Sequence, residues 1–226
     1  TIEFMSVMIV LKAGFSALTM AMYLRYRAPK EYFGAYIFSL FYALSGYYCA
    51  YYWNIMWLDS IAVFPLVILG MERLIKGDGG AGYAAALGYC ILCNYYISIM
   101  VCIFLIIYFF IFSALTGFEE GFAGFVKTGI RFAFWSLVAG GVAAVFLLPE
   151  ICALSATASS ESTFPKTVSE YFGIFDMLAR HMPGVETEQW LKHFPNIYCG
   201  SFVYLLFGLY LMAKRIPLKE KAAYTA

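Results

Sequence analysis

Apolar residues run along this chain in long blocks separated by short polar breaks, with neither the period-two alternation of half-buried strands nor the single apolar stripe of a soluble helix. A bilayer core of roughly 30 Å takes about 20 helical residues. Seven blocks qualify as membrane spans: Phe4 to Leu24, Phe33 to Trp53, Ile61 to Ile75, Ala81 to Tyr95, Ile97 to Thr116, Gly129 to Leu148 and Tyr198 to Ala213. The stretch from Ala81 to Thr116 carries no charge, and as one helix it would extend about 54 Å, far more than a membrane needs. It is expected to fold back at Asn94-Tyr95-Tyr96-Ile97-Ser98, which supplies turn chemistry and interfacial aromatics. The pattern therefore predicts an all-α, polytopic transmembrane helical bundle of about seven spans. Residues 1–148 hold spans one to six, 149–197 a long external loop, 198–213 span seven, and 214–226 a basic cytoplasmic segment. Within the long loop, Thr167 to Arg180 has the periodicity of a short amphipathic helix lying on the membrane surface.

Composition agrees. The chain of 226 residues is 63% hydrophobic and 13% charged, against roughly 25% charged in soluble domains. Its mean hydropathy is +0.77. Fifteen Lys and Arg against 14 Asp and Glu leave a net charge of +1, too little to gather nucleic acid. The distribution of the basic residues says more than their sum. Eleven (Arg25, Arg27, Lys30, Arg73, Lys76, Lys127, Arg131, Lys214, Arg215, Lys219 and Lys221) fall on one side of the predicted bundle, and three (Lys166, Arg180, Lys192) on the other. The first side is cytoplasmic by the positive-inside rule. That orientation places the Trp53 to Asp59 segment, the Asn94 turn and the long loop together outside. The start, Thr1-Ile2-Glu3, has no basic n-region and opens almost directly into a span, and the end breaks off in a basic segment. Both ends are expected to lie within a longer protein.

Lys12 is the first candidate for chemistry, because an ammonium inside a span generally faces the bundle or marks a site. It is read as a holder of an anionic lipid headgroup, against the alternative that its stem snorkels to the interface. The second is Trp53-Asn54-Ile55-Met56-Trp57-Leu58-Asp59, taken as an external loop. Two indoles with an amide and a carboxylate suit a sugar, whereas Asp59 and Ser60 alone would also serve to N-cap span three. Asn94, as an amide at a hairpin, is either glue between helices or a site residue. Glu150, Arg180, His181 and His193 lie in or beside the long loop without metal-ligand spacing, and no metal site is expected. Cys90-Ile-Leu-Cys93 reads as core thiols, while Cys152 and Cys199 flank the loop and are candidates to pair in an oxidising compartment.

Several of these motifs taken in order, Trp53-Asn54-x-x-Trp57-x-Asp59, Phe64-Pro65-Leu66, Gly70-x-Glu72-Arg73-Leu74, Asn94-Tyr95-Tyr96-Ile97, Leu148-Pro149, Pro195-Asn196-Ile197-Tyr198-Cys199-Gly200 and Ile216-Pro217-Leu218-Lys219-Glu220-Lys221, resemble the bacterial YfhO family of polytopic membrane proteins. That family is similar to GT-C glycosyltransferases. The resemblance implies transfer of a sugar from a polyprenyl-phosphate donor, such as undecaprenyl-phosphate sugar, to teichoic acid or a similar envelope polymer. The place implied is the extracytoplasmic face of the bacterial cytoplasmic (plasma) membrane, with membrane lipids, donor and acceptor as partners and no further cofactor. It also implies a main catalytic acid in an external loop after a first span, which the chain as given does not match, so that Asp59 is carried over as a second acid. Lys12 then holds the lipid phosphate. Trp53, Asn54, Trp57, Asn94, Asn196 and Tyr198 are the candidates for binding sugar or acceptor. A transporter or lipid flippase for envelope precursors would use similar residues, and a scaffold for envelope machinery would use none of them. The absence of an internal repeat and the gathering of polar groups at one face favour the enzyme over the transporter.

Overall fold

The computed structural model describes residues 2–118, 120–156, 173–186, 196–198 and 200–225. All regular structure among them is helical: α1 (Ile2–Arg27), α2 (Tyr32–Ala43), α3 (Gly46–Tyr51), α4 (Ile55–Ile75), α5 (Ala81–Cys93), α6 (Tyr95–Thr116), α7 (Gly121–Ser155), α8 (Ile174–Ala179), α9 (Ser201–Met212) and α10 (Leu218–Thr225). Each of the seven predicted blocks finds a helical counterpart. Four of the helices, α1, α4, α6 and α7, are long and apolar enough to cross a membrane, whereas α5 and α9 are apolar but only 13 and 12 residues long.

α4 is the hub. Val63, Val67, Met71 and Leu74 on it pack with Tyr83, Leu87 and Cys90 of α5, with Leu105, Tyr108, Phe109 and Phe112 of α6, and with Ala139 of α7. α1 lies along α4 in the same direction, so that Lys12 meets Ile55 and Asp59, Thr19 meets Ala62, and Tyr23 and Arg27 meet Glu72. α5 runs back along α4 at close range. A Cβ on Gly70 would come within 2.7 Å of the Tyr83 Cα, so the small residue sets the approach of the two backbones. Ile130, Phe134, Leu137, Val142, Val145 and Phe146 of α7 are exposed, as side chains facing lipid would be.

Pro65 sits inside α4 and has no N–H to give to the carbonyl four residues back. That carbonyl, Ile61 O, instead accepts from the Tyr42 hydroxyl at 2.7 Å, and the next, Ala62 O, accepts from Thr19 Oγ1 at 2.6 Å. The proline is thereby tolerated because Tyr42 of α2 satisfies the carbonyl it frees, and Thr19 of α1 adds a bond to the next.

Four boundaries differ from expectation. The second block does not form one helix: it breaks at Leu44 and Ser45 into α2 and α3, and the Gly46 N–H that follows donates to Tyr198 O at 2.6 Å. The third begins at Ile55 rather than Ile61, so the Trp53 to Asp59 segment is no loop but a short turn followed by the opening of α4. The sixth continues to Ser155, so that Pro149 and Glu150 are helical rather than the opening of a loop. The basic segment after Ala213 contains α10, a short helix that packs on the end of α6 and on Arg27. The hairpin at Asn94 is present and tighter than expected, since Asn94 alone is non-helical and Tyr95 to Ser98 form the first turn of α6. Of the surface helix expected over Thr167 to Arg180, the described part is α8; residues 167–172 lie outside the described residues.

Candidate functional site

The strongest polar contact at the end of the bundle away from the basic cluster joins α1 to α4. Lys12, three turns into α1, sends its Nζ to Asp59 Oδ2 at 2.7 Å and to Ile55 O at 3.0 Å. The side chains are 13% and 26% exposed, so the pair is sheltered but reachable. Lys12 neither snorkels outward nor stands unpaired. Asp59 is not the N-cap of α4, a position held by Asn54; it lies in the second turn and faces α1. An ammonium has three N–H groups and a carboxylate two oxygens. Among the described residues, one Lys12 N–H and Asp59 Oδ1 remain free of hydrogen bonds. The pair can thus receive an anion on the lysine and a hydroxyl on the aspartate at the same time.

Below the pair lies an apolar groove of about 710 Å³, lined by Phe15 of α1, by Val63, Leu66 and Gly70 of α4 and by Tyr83 and Tyr89 of α5, with Arg73 at its far end. Asp59, Val63, Leu66, Gly70 and Arg73 are spaced by four, three, four and three residues, which puts them on one face of α4. Phe15 follows Lys12 by three residues on α1. The groove therefore continues the line that begins at the ion pair.

The other candidates are assembled elsewhere. Trp57 is two positions before Asp59 and so points to the other side of α4. Its ring packs on Tyr51 at 5.4 Å and stacks with Tyr96 at 6.4 Å, in contact with the core. Tyr51 in turn receives a hydrogen bond from Asn196 Nδ2 at 3.4 Å, while Asn196 Oδ1 accepts from Arg180 at 2.8 Å, so the buried Asn196 ties the returning chain to α3. Tyr198 contributes its backbone oxygen to Gly46. Trp53 donates its indole N–H to Ala50 O and is 41% exposed, and Asn54 makes no side-chain cap bond. Asn94 accepts the Ile97 N–H at 2.9 Å, making it the cap of α6. In sum, the structure unites Lys12 with Asp59 and, separately, Trp57 with Asn196 through Tyr51, and it gives Asn94 and Tyr198 backbone roles.

Of the remaining residues, His181 bonds Met177 O and packs its ring on Tyr204 at 4.4 Å. Cys90 is buried and accepts from Ser98 Oγ. Cys152 is a free thiol; His193 and Cys199 lie outside the described residues.

Glu72 was not anticipated as a site residue. It is wholly buried at the basic end, accepting from the Tyr108 hydroxyl at 2.6 Å, from the Tyr23 hydroxyl at 2.8 Å and from Arg27 at 3.2 Å. A carboxylate within an apolar run is itself a signal. Its presence means that polar groups do not gather at one end of the bundle alone, as the sequence suggested.

A family model described as bacterial membrane protein YfhO matches residues 3–226. The chain belongs to the YfhO family. Comparison with curated proteins and with solved structures finds no match. Together with its four long apolar helices, this makes the chain a multi-pass membrane protein of that family. The Lys12–Asp59 pair and Glu72 are the two ion-paired carboxylate sites that a YfhO-family chain of this sequence encloses among its described residues.

Proposed function

We propose that this YfhO-family protein transfers a sugar from a polyprenyl-phosphate donor to an envelope polymer, at the extracytoplasmic face of the bacterial cytoplasmic membrane. The observation that carries the reading is the Lys12–Asp59 pair, with a free N–H and a free carboxylate oxygen, at the head of an apolar groove. A polyprenyl phosphate has the matching form, an anion on a long hydrocarbon. The 11-to-3 bias of basic residues supports the orientation.

In this reading the groove beside Phe15 and Tyr89 takes the prenyl chain and Lys12 holds the phosphate. The acceptor hydroxyl oxygen forms its bond to the anomeric carbon as the bond from that carbon to the phosphate oxygen breaks. The bonding pair leaves with the phosphate, whose growing charge the Lys12 ammonium offsets. The hydroxyl proton passes to a carboxylate, and Asp59 Oδ1 is placed to accept it or to orient the hydroxyl. The exposed indole of Trp53 and the amide of Asn54 supply a surface for sugar at the start of α4. Trp57 and Asn196 support that surface from behind, through Tyr51.

The test is sugar incorporation into envelope polymer by the full-length protein, wild type against Asp59→Asn, at matched membrane expression. Incorporation reduced by roughly 10²-fold or more supports a proton-accepting role. Unchanged incorporation removes Asp59 from the reaction. The interruption between α2 and α3 favours a second reading, since transporters use broken helices at their binding sites. Translocation of a lipid-linked precursor in proteoliposomes without any sugar transfer would establish that reading instead.

A further inference from the structure

At the basic end of the bundle the ends of four helices line an open recess of about 420 Å³. α10 forms one side of it, held there by the Lys219 ammonium on Ala114 O and by the Arg27 guanidinium on the Tyr224 hydroxyl at 2.8 Å. Arg27, Lys76 and Lys219 line the space, with Glu220 the one carboxylate in the wall among the described residues. Arg27 is shared with Glu72 on its inner side. Lys76 has no carboxylate within 4 Å among the described residues; its ammonium instead lies 4.8 Å from the Tyr26 ring and 5.7 Å from that of Phe112. Counting Glu72 and Glu220 against the three cations, one positive charge is left over among the described residues that line the recess or pair with its wall. The floor is apolar, formed by Phe112, Leu115 and Pro217.

We propose that this recess binds the phosphodiester of an anionic glycerophospholipid, with the phosphate between Lys76, Lys219 and Arg27 and the acyl chains leaving over Phe112 and Leu115. A bias of basic residues toward one side requires only that cations be present in the loops. It does not require three of them, from α1, α10 and the cap of α4, to converge on one recess. The Lys76 ammonium, with no carboxylate within 4 Å among the described residues, and the single excess charge match a singly charged phosphodiester, and the apolar floor at the level of the helix ends matches the junction of headgroup and chain. A volume of about 420 Å³ falls within the range of about 300–1,000 Å³ typical of small-ligand sites.

The experiment is native mass spectrometry of the full-length protein titrated with phosphatidylglycerol, with phosphatidylcholine, a zwitterion of zero net charge, as the comparison. The double substitution Lys76→Gln with Lys219→Gln is expected to weaken phosphatidylglycerol binding about tenfold or more, and Lys214→Gln with Arg215→Gln, an equal loss of charge outside the recess, to change it by less than about twofold. Thr116→Phe, which fills the recess and leaves every charge in place, is expected to weaken binding as the double substitution does, and it serves if the latter fails to fold. Inorganic phosphate at tens of millimolar should not displace the lipid. Displacement by phosphate would make the site one for a free anion. Equal losses with Lys214→Gln and Arg215→Gln together, or no loss with Thr116→Phe, would reduce the effect to a diffuse field of charge and overturn the proposal.

Discussion

Lys12 and Asp59 stand 47 residues apart in sequence and 2.7 Å apart in space, the only side-chain ion pair between helices at the Trp53 end of the bundle among the described residues. Each explains how the other is tolerated. A lone ammonium in α1 or a lone carboxylate in α4 would sit at membrane depth without a counter-charge. A sheltered pair loses more when one partner is removed than when both are, because the survivor is left uncompensated.

Stability and chemistry can therefore be separated by a double-mutant cycle. Lys12→Met and Asp59→Asn should each cost about 3 kcal/mol in detergent-unfolding measurements, the low end for sheltered pairs, and the double substitution should cost less than the sum. If the pair also serves transfer, the double variant recovers stability and stays inactive. Recovery of both would make the pair purely structural.

The helical membrane fold was legible because it rests on composition and on block length, which are local. The Asn94 hairpin was legible for the same reason, since the signal is a cap residue in an uncharged apolar run. The break in the second block was not, because its cause is Tyr198 O, about 150 residues away, which takes the Gly46 N–H. Nor was the start of α4: Asn54 and Asp59 look like loop residues until Lys12 neutralises Asp59 from another helix and lets the helix begin four residues ahead of it. Lys12 and Asp59 were both singled out in sequence, but as separate features, and their pairing belongs to tertiary structure. Glu72 was visible only as a motif letter because its partners Tyr23, Arg27 and Tyr108 come from two other helices.

Glu72 should be a main support of the basic end. Glu72→Leu leaves Arg27 without its counter-charge and two tyrosine hydroxyls without an acceptor, at an expected cost of about 3–5 kcal/mol. Tyr108→Phe removes one hydrogen bond to a charged group and should cost about 1.5–3 kcal/mol. A denaturant titration that ranks Tyr108→Phe as the worse of the two would contradict the assignment of Glu72 as the centre of the network.

Orientation is open to direct measurement. In a background with the native cysteines removed, a membrane-impermeant maleimide added to intact cells should label Glu186→Cys, which is exposed beyond α8, and should leave Lys76→Cys unlabelled. The reverse pattern would turn the bundle over and place the Lys12–Asp59 pair on the cytoplasmic side, which would remove the basis for an extracytoplasmic transferase.

The packing of α4 on α5 makes the final prediction, and it bears on the groove as well as on the fold. A methyl on Gly70 would meet the Tyr83 backbone, 2.7 Å from its Cα and 2.8 Å from its N, where nothing can rotate away. Gly70→Ala must therefore push the two helices apart, an overpacking cost of about 1–3 kcal/mol. Gly141 in α7 is the matched control: nothing lies within 4 Å of the same added methyl, so Gly141→Ala should be neutral or slightly stabilising, by about 0.5–1 kcal/mol through helix propensity. Because Gly70 and Tyr83 also line the groove below Asp59, separation of α4 from α5 reshapes the surface offered to a prenyl chain while leaving Lys12 and Asp59 in place. Kinetics with a polyprenyl-phosphate donor should then show a raised KM for Gly70→Ala with kcat changed less. A loss confined to kcat would mean that the groove does not hold the donor chain.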